Sequence, residues 1–152
     1  MEDKCVMCPI LWIAVSAWAI AQVLKLLISM AVYRKFDITY LITGGGMPSS
    51  HSALVCATAV STGICAGFDA PVFAVAAVLA FIVMYDAAHV RRETGKQSKI
   101  LNYIMSTWEE KRPEQFEAEL KELIGHTPLQ VAVGGVLGAA VGLVGGYVIY
   151  GF

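Results

Sequence analysis

Apolar residues in this chain fall into long runs rather than into alternation. Nearly every position from Pro9 to Tyr33 is apolar, and further runs cover Pro71 to about His89 and Pro128 to the C-terminus. Runs of this length predict helices that cross a bilayer, since roughly 20 apolar residues span the hydrocarbon. A shorter run, from about Ser49 to Gly67, is rich in Ala, Ser and Thr. Such a helix suits close packing on other helices better than lipid contact all round. The pattern changes between Ser98 and Gly125. Ile100, Leu101, Ile104 and Met105 recur at helical spacing there. Between Pro113 and Gly125, Phe116, Leu120, Leu123 and Ile124 line one face of a second segment. The expected architecture is all-α: a single polytopic membrane domain over residues 1–152. It has about four transmembrane helices (9–33, 49–67, 71–89 and 128–150) and a polar, cytoplasmic helical connector over 95–125.

The boundaries carry their own signals. Ser49 or Ser50 can cap the second helix, and Thr127 followed by Pro128 is a good N-cap and first helical residue. A tight turn through Gly67-Phe68-Asp69-Ala70-Pro71 joins the second and third spans. In the last span Gly134, Gly138, Gly142 and Gly146 recur every fourth position. That ridge lets another helix approach closely, either in this chain or in a second copy as a homodimer.

Composition narrows the class. The chain is 57% hydrophobic and 15% charged, too apolar for an ordinary soluble domain. A net charge of −1, without a basic-aromatic patch, gives no case for nucleic acid. Met1-Glu2-Asp3-Lys4 has no positive excess, so the first apolar run reads as a retained span rather than a signal peptide. Cys56 and Cys65 read as small hydrophobes. Cys5 and Cys8 form a C-x-x-C, but no second Cys or His pair lies near enough in sequence to complete a zinc site.

The chemistry-bearing residues cluster once the spans are laid out. The first span ends, the second begins, the third ends and the fourth begins on the same side. Lys25, the Gly44–Ala53 motif, the Asp86–Gln97 segment and His126 therefore gather at one membrane face. Of the Lys and Arg residues only Lys4 belongs to the opposite side. The positive-inside rule then puts the gathered face in the cytoplasm of a cell membrane, with both termini outside.

Each gathered residue has two readings. Lys25 inside a span is either a functional group or a snorkelling side chain. Asp86 can orient a histidine or pair with an arginine, and His89 reads as interfacial. Of Arg91 and Arg92, one points to the site and the other to headgroups. Cations, helix N-termini and two histidines, His51 and His126, suit a phosphate ester, while the scarcity of carboxylates disfavours a divalent metal.

Gly-Gly-Met-Pro-Ser-Ser-His-Ser-Ala, then Asp-x-x-x-Val-Arg-Arg-x-x-Gly-x-Gln, then Gly-His-Thr-Pro-x-Gln-Val resembles the divergent type 2 phosphatidic acid phosphatase family. That family is similar to the wider lipid phosphatase and vanadium haloperoxidase superfamily. The resemblance implies a metal-independent, cofactor-free phosphatase with a phosphohistidine intermediate. It implies His126 as nucleophile and His51 as general acid. It also implies Lys25, Ser49, the Ser50 amide, and Arg91 or Arg92 as phosphate ligands.

The sequence departs from the superfamily pattern in places. Ser50 replaces a glycine, the arginines are far from His126 in sequence, and Gln130 stands where the nucleophile's carboxylate partner belongs. Asp86 and Gln130 are left as the candidate orienting groups. The expected function is hydrolysis of a lipid or isoprenoid phosphate. The alternative is a non-catalytic lipid-phosphate binder or transporter on the same frame, which Gln130 favours.

Overall fold

A computed structural model describes residues 8–33, 46–107 and 125–151. The segment from Pro113 to Ile124, together with Cys5, Gly44 and Gly45, lies outside the described residues. All the regular structure among those described is helical. Helix α1 spans Pro9–Tyr33, α2 Ser50–Ala66, α3 Pro71–Tyr85, α4 Arg91–Ser106 and α5 Pro128–Tyr150. A single π-helical turn, Asp86–Val90, joins α3 to α4.

Three stretches are long and apolar enough to cross a membrane: Pro9–Ala31, the continuous helix Pro71–Ser106, and Pro128–Tyr150. Helix α2 has 17 residues, about 25 Å of rise, which is short of a full bilayer core. Its company compensates, for α2 is the central element and packs against α1, α3 and α5. The third span does not stop at His89. It runs on without a break as α4, so the first part of the polar connector is the extension of a membrane helix.

Small residues account for the close packing. On α1 the inward stripe reads Ile13, Ala17, Ala21, Lys25, Ser29, all buried, with a four-residue spacing. Its alanines join Ala53 and Ala57 of α2 in one apolar cluster, flanked by Leu137 and Val141 of α5. Val55 and Ala59 of α2 meet Ala80 of α3 in another.

The glycine ridge of α5 faces α2 of the same chain. An added Cβ at Gly134 or Gly138 would overlap the carbonyl oxygen of Ser49 or Ala53, and one at Gly142 would lie 2.9 Å from that of Ala57. The ridge therefore takes the first of its two alternatives and seats a helix of the same chain. Helix α2 needs a partner that offers no side chain, because its own inward face is already packed against α1.

Two hydroxyls of α2 are satisfied by its own carbonyls. Thr58 donates to the Leu54 carbonyl at 2.9 Å and Ser61 to that of Ala57 at 2.7 Å. Such back-bonding lets a polar helix sit among apolar ones without unpaired donors. Cys56 packs its sulfur 3.5 Å from that of Met84, whereas Cys65 is exposed rather than packed inside.

Candidate functional site

The N-terminal ends of α2 and α5 lie side by side, and the site is built on that junction. Thr127 caps α5, accepting the Gln130 N–H at 3.3 Å, while the Gln130 Oε1 accepts the Thr127 N–H at 3.0 Å. This reciprocal box fixes the Gln130 side chain with its oxygen turned back over the helix end. The Ser49 N–H donates to the Gln130 carbonyl at 3.0 Å and stitches the two helix ends together.

His126 precedes that cap and is only 1% exposed. Its Nδ1 lies 3.1 Å from the Gly46 carbonyl oxygen and 3.2 Å from Gln130 Oε1. Both neighbours are acceptors, so Nδ1 carries the proton and Nε2 keeps its lone pair. Nε2 is buried and has no hydrogen-bond partner. Burial pushes this imidazole below its ordinary value of 6.5. The bond to Gln130 opposes the shift, the charges of Lys25 and His51 add to it, and the bond to Gly46 opposes it again. The ring is thus neutral at physiological pH.

His51 follows in the first turn of α2 and is exposed. Its ring centroid lies 6.3 Å from that of His126, nearly edge-on. Ser49 is fully buried and acts as the cap: its Oγ accepts from the Ser52 hydroxyl at 3.0 Å and the Ser52 N–H at 3.4 Å. The Ser49 N–H is taken by the Gln130 carbonyl. The Ser50 and His51 N–H groups have no partner among the described residues. They are the open donors of the α2 N-terminus.

The cations divide unequally. Lys25 is 3% exposed, and its charge acts on both histidines. Gly46, at φ +95°, lies over the Lys25 stem; an added Cβ there would meet Cγ and Cδ at 3.2 Å. The ion pairs among the described residues are Arg91–Asp86 and Lys96–Glu93, so no described carboxylate neutralises Lys25. Arg91 and Asp86 both act electrostatically on His51. Asp86 takes the arginine alternative: Arg91 Nε donates to its Oδ2 at 2.7 Å. Arg92 and His89 are exposed, and His89 stacks on Tyr85 at 4.4 Å.

Three contributors escape a reading of side-chain types. One is the Gly46 carbonyl, whose role as acceptor for His126 leaves no trace in composition. The second is Ser29, one turn beyond Lys25 on the same stripe, 5% exposed and with an unpartnered hydroxyl. Its four-residue spacing from Lys25 was the available signal. The third is the carbonyl of Ala87, which accepts the His126 N–H at 3.1 Å.

Together these groups form a cationic, partly buried cluster with a lone pair on one side and a second imidazole across from it. Among the described residues no group of three His, Cys, Asp or Glu is placed to hold a metal.

Comparison with known proteins agrees on the class. The chain is 38% identical over 146 residues to an uncharacterized membrane protein, YuiD, of Bacillus subtilis (strain 168), covering 88% of this chain and 91% of that one. No solved structure matches it. The family model described as the divergent PAP2 family matches residues 7–141, which span every motif of the site. This membrane protein belongs to the divergent PAP2 family.

Proposed function

We propose that the protein hydrolyses a lipid or isoprenoid phosphate at the cytoplasmic face, without metal, through a phosphohistidine on His126. The observation that carries the reading is His126 itself: Nδ1 is tied to two acceptors, while Nε2 is buried, unpartnered and close to His51. The Nε2 lone pair attacks phosphorus as the ester P–O bond breaks. A protonated His51 gives its proton to the leaving oxygen. Water then attacks the phosphohistidine, His51 takes its proton, and inorganic phosphate leaves with His126 neutral again. Lys25, Arg91 and the Ser50 and His51 amides bind the phosphoryl oxygens. As His126 becomes cationic, the Gly46 and Gln130 oxygens stabilise Nδ1–H where related chemistry would employ a carboxylate.

The test is phosphate release from a panel of lipid and isoprenoid phosphates by purified protein in EDTA. Acid-labile, base-stable labelling is expected on His126, and His126→Ala should abolish both signals. No release from any substrate by folded protein would end the enzyme reading. Gln130 supports the second reading, a binder or transporter, since an amide supplies less stabilisation than a carboxylate. Tight phosphate or vanadate binding without turnover would favour it.

A further inference from the structure

The helix from Pro71 to Ser106 is regular except at Asp86–Val90. There the Arg91 N–H donates to Asp86, five residues back. In α-helical register that N–H would serve Ala87, four residues back. The slip relieves the Ala87 carbonyl of this bond, and it accepts the His126 N–H instead, at 3.1 Å. A second effect comes from rotation. Positions five apart in an α-helix point about 140° away from each other. The wider turn brings Asp86 and Arg91 onto one side, where they pair at 2.7 Å, and both act on His51.

The neighbouring loop is fitted to this turn. Gly125 has φ +114°, and an added Cβ would lie 2.5 Å from the Arg92 nitrogen and 2.6 Å from the Arg91 carbonyl carbon. The backbone before His126 thus rests directly on the backbone that leaves the π-turn. Ala87, Ala88 and Val131 close the contact with an apolar cluster. The interruption yields one carbonyl for His126 and one aligned ion pair beside His51.

We propose that the π-turn and Gly125 are positioning elements. They set the imidazole of His126 against His51, and they place Arg91 beside the same site. The geometric part stands alone, while the consequence for turnover rests on the phosphatase reading. Mid-helix π-turns often mark functional positions, and here the displaced hydrogen bond can be followed to its recipient.

The experiment compares wild type, Gly125→Ala and a deletion of Ala88, which restores α-helical spacing between Asp86 and Arg91. Thermal melting identifies which variants remain folded. Histidine 15N NMR reads the His126 tautomer, titration with vanadate reads the pocket, and phosphate release reads turnover.

In folded variants we expect loss of the fixed Nδ1–H tautomer and at least tenfold weaker vanadate binding. A shift of about 1 Å in a reacting group costs on the order of 10²-fold, so kcat should fall by about that factor with a smaller change in KM. A folded variant that keeps the tautomer, the vanadate affinity and kcat overturns the proposal. If both variants unfold, amide exchange on wild type decides. Protection of the His126 N–H like that of the α5 interior supports the anchor, and exchange at an open-loop rate overturns it. If wild type releases no phosphate, the phosphatase reading fails, while tautomer and exchange still decide the positioning role.

Discussion

Adjacent glycines of α5 provide a sharp test, because Gly134 and Gly135 differ in what they face. A Cβ on Gly134 would overlap the Ser49 carbonyl oxygen and lie 3.0 Å from the Ser49 nitrogen and carbonyl carbon. Those atoms belong to a capped helix end and cannot rotate aside. A Cβ on Gly135 would meet the Met84 Cε at 3.2 Å, the far end of a flexible side chain. Both Gly→Ala changes gain about 1 kcal/mol in helix propensity. Gly134→Ala then loses about 1–3 kcal/mol to overpacking. It loses about 1 kcal/mol more if the Ser49–Gln130 hydrogen bond breaks.

With that bond broken, the net is a destabilisation of about 1–3 kcal/mol for Gly134→Ala, against no loss or a small gain for Gly135→Ala. At about 2–4 °C per kcal/mol for a chain of this size, melting in detergent should fall by roughly 2–12 °C in the first variant and hold or rise in the second. Relieving the overlap moves the helix ends apart by on the order of 1 Å, and Ser49 is two residues from His51. Turnover of Gly134→Ala should therefore drop by about 10²-fold while Gly135→Ala stays near wild type. Equal melting temperatures and equal rates for the two variants would refute the assignment of the ridge to α2.

Other outcomes follow from the same geometry. Lys25→Met removes an ammonium that no described carboxylate neutralises, so stability should hold or rise while phosphate and vanadate binding weaken at least tenfold; a large loss of stability would show a structural role instead. Ser29→Ala breaks no hydrogen bond and should leave the melting temperature within about 2 °C, consistent with a change below ~0.5 kcal/mol. Gln130→Glu keeps the capping box and gives His126 a carboxylate partner, so the acidic limb of kcat/KM should move to higher pH; an unmoved limb would separate Gln130 from the titrating group. The folded state holds His126 below its unfolded value of 6.5. Unfolded chains then bind the extra proton first, so stability is present above pH 6.5 and is lost as pH falls through the folded value. His126→Phe should flatten that dependence, as followed by melting temperature against pH.

Much of the frame was legible because membrane helices announce themselves by length and apolarity. The start of α5 was written in Thr127 and Pro128, and that of α2 in Ser49. Helix ends then bring Lys25, His51, Arg91 and His126 to one side by simple alternation. What stayed hidden depends on backbone and on packing between distant segments. Nothing in Asp86-Ala87-Ala88-His89-Val90 marks a π-turn, and the loop that rests on it lies far along the sequence. Gln130 looked like a missing carboxylate by residue type, yet its oxygen is placed to accept from His126 because the cap turns it inward. The glycine ridge declared that a helix would come close but could not say which, because several helices with small residues qualify.

The seating of α2 against the α5 ridge also bears on how the protein is made. Gly46 and His126, joined by one hydrogen bond, are eighty residues apart in sequence. Translation supplies the N-terminal part first, so α2 enters the bilayer before its glycine partner exists. A helix with Ser, Thr and Gly among its buried residues has little affinity for lipid, and it depends on α1 and α3 until α5 arrives. Assembly of the site therefore waits for α5: its docking buries the seam of α2 and brings His126 to His51 in a single event.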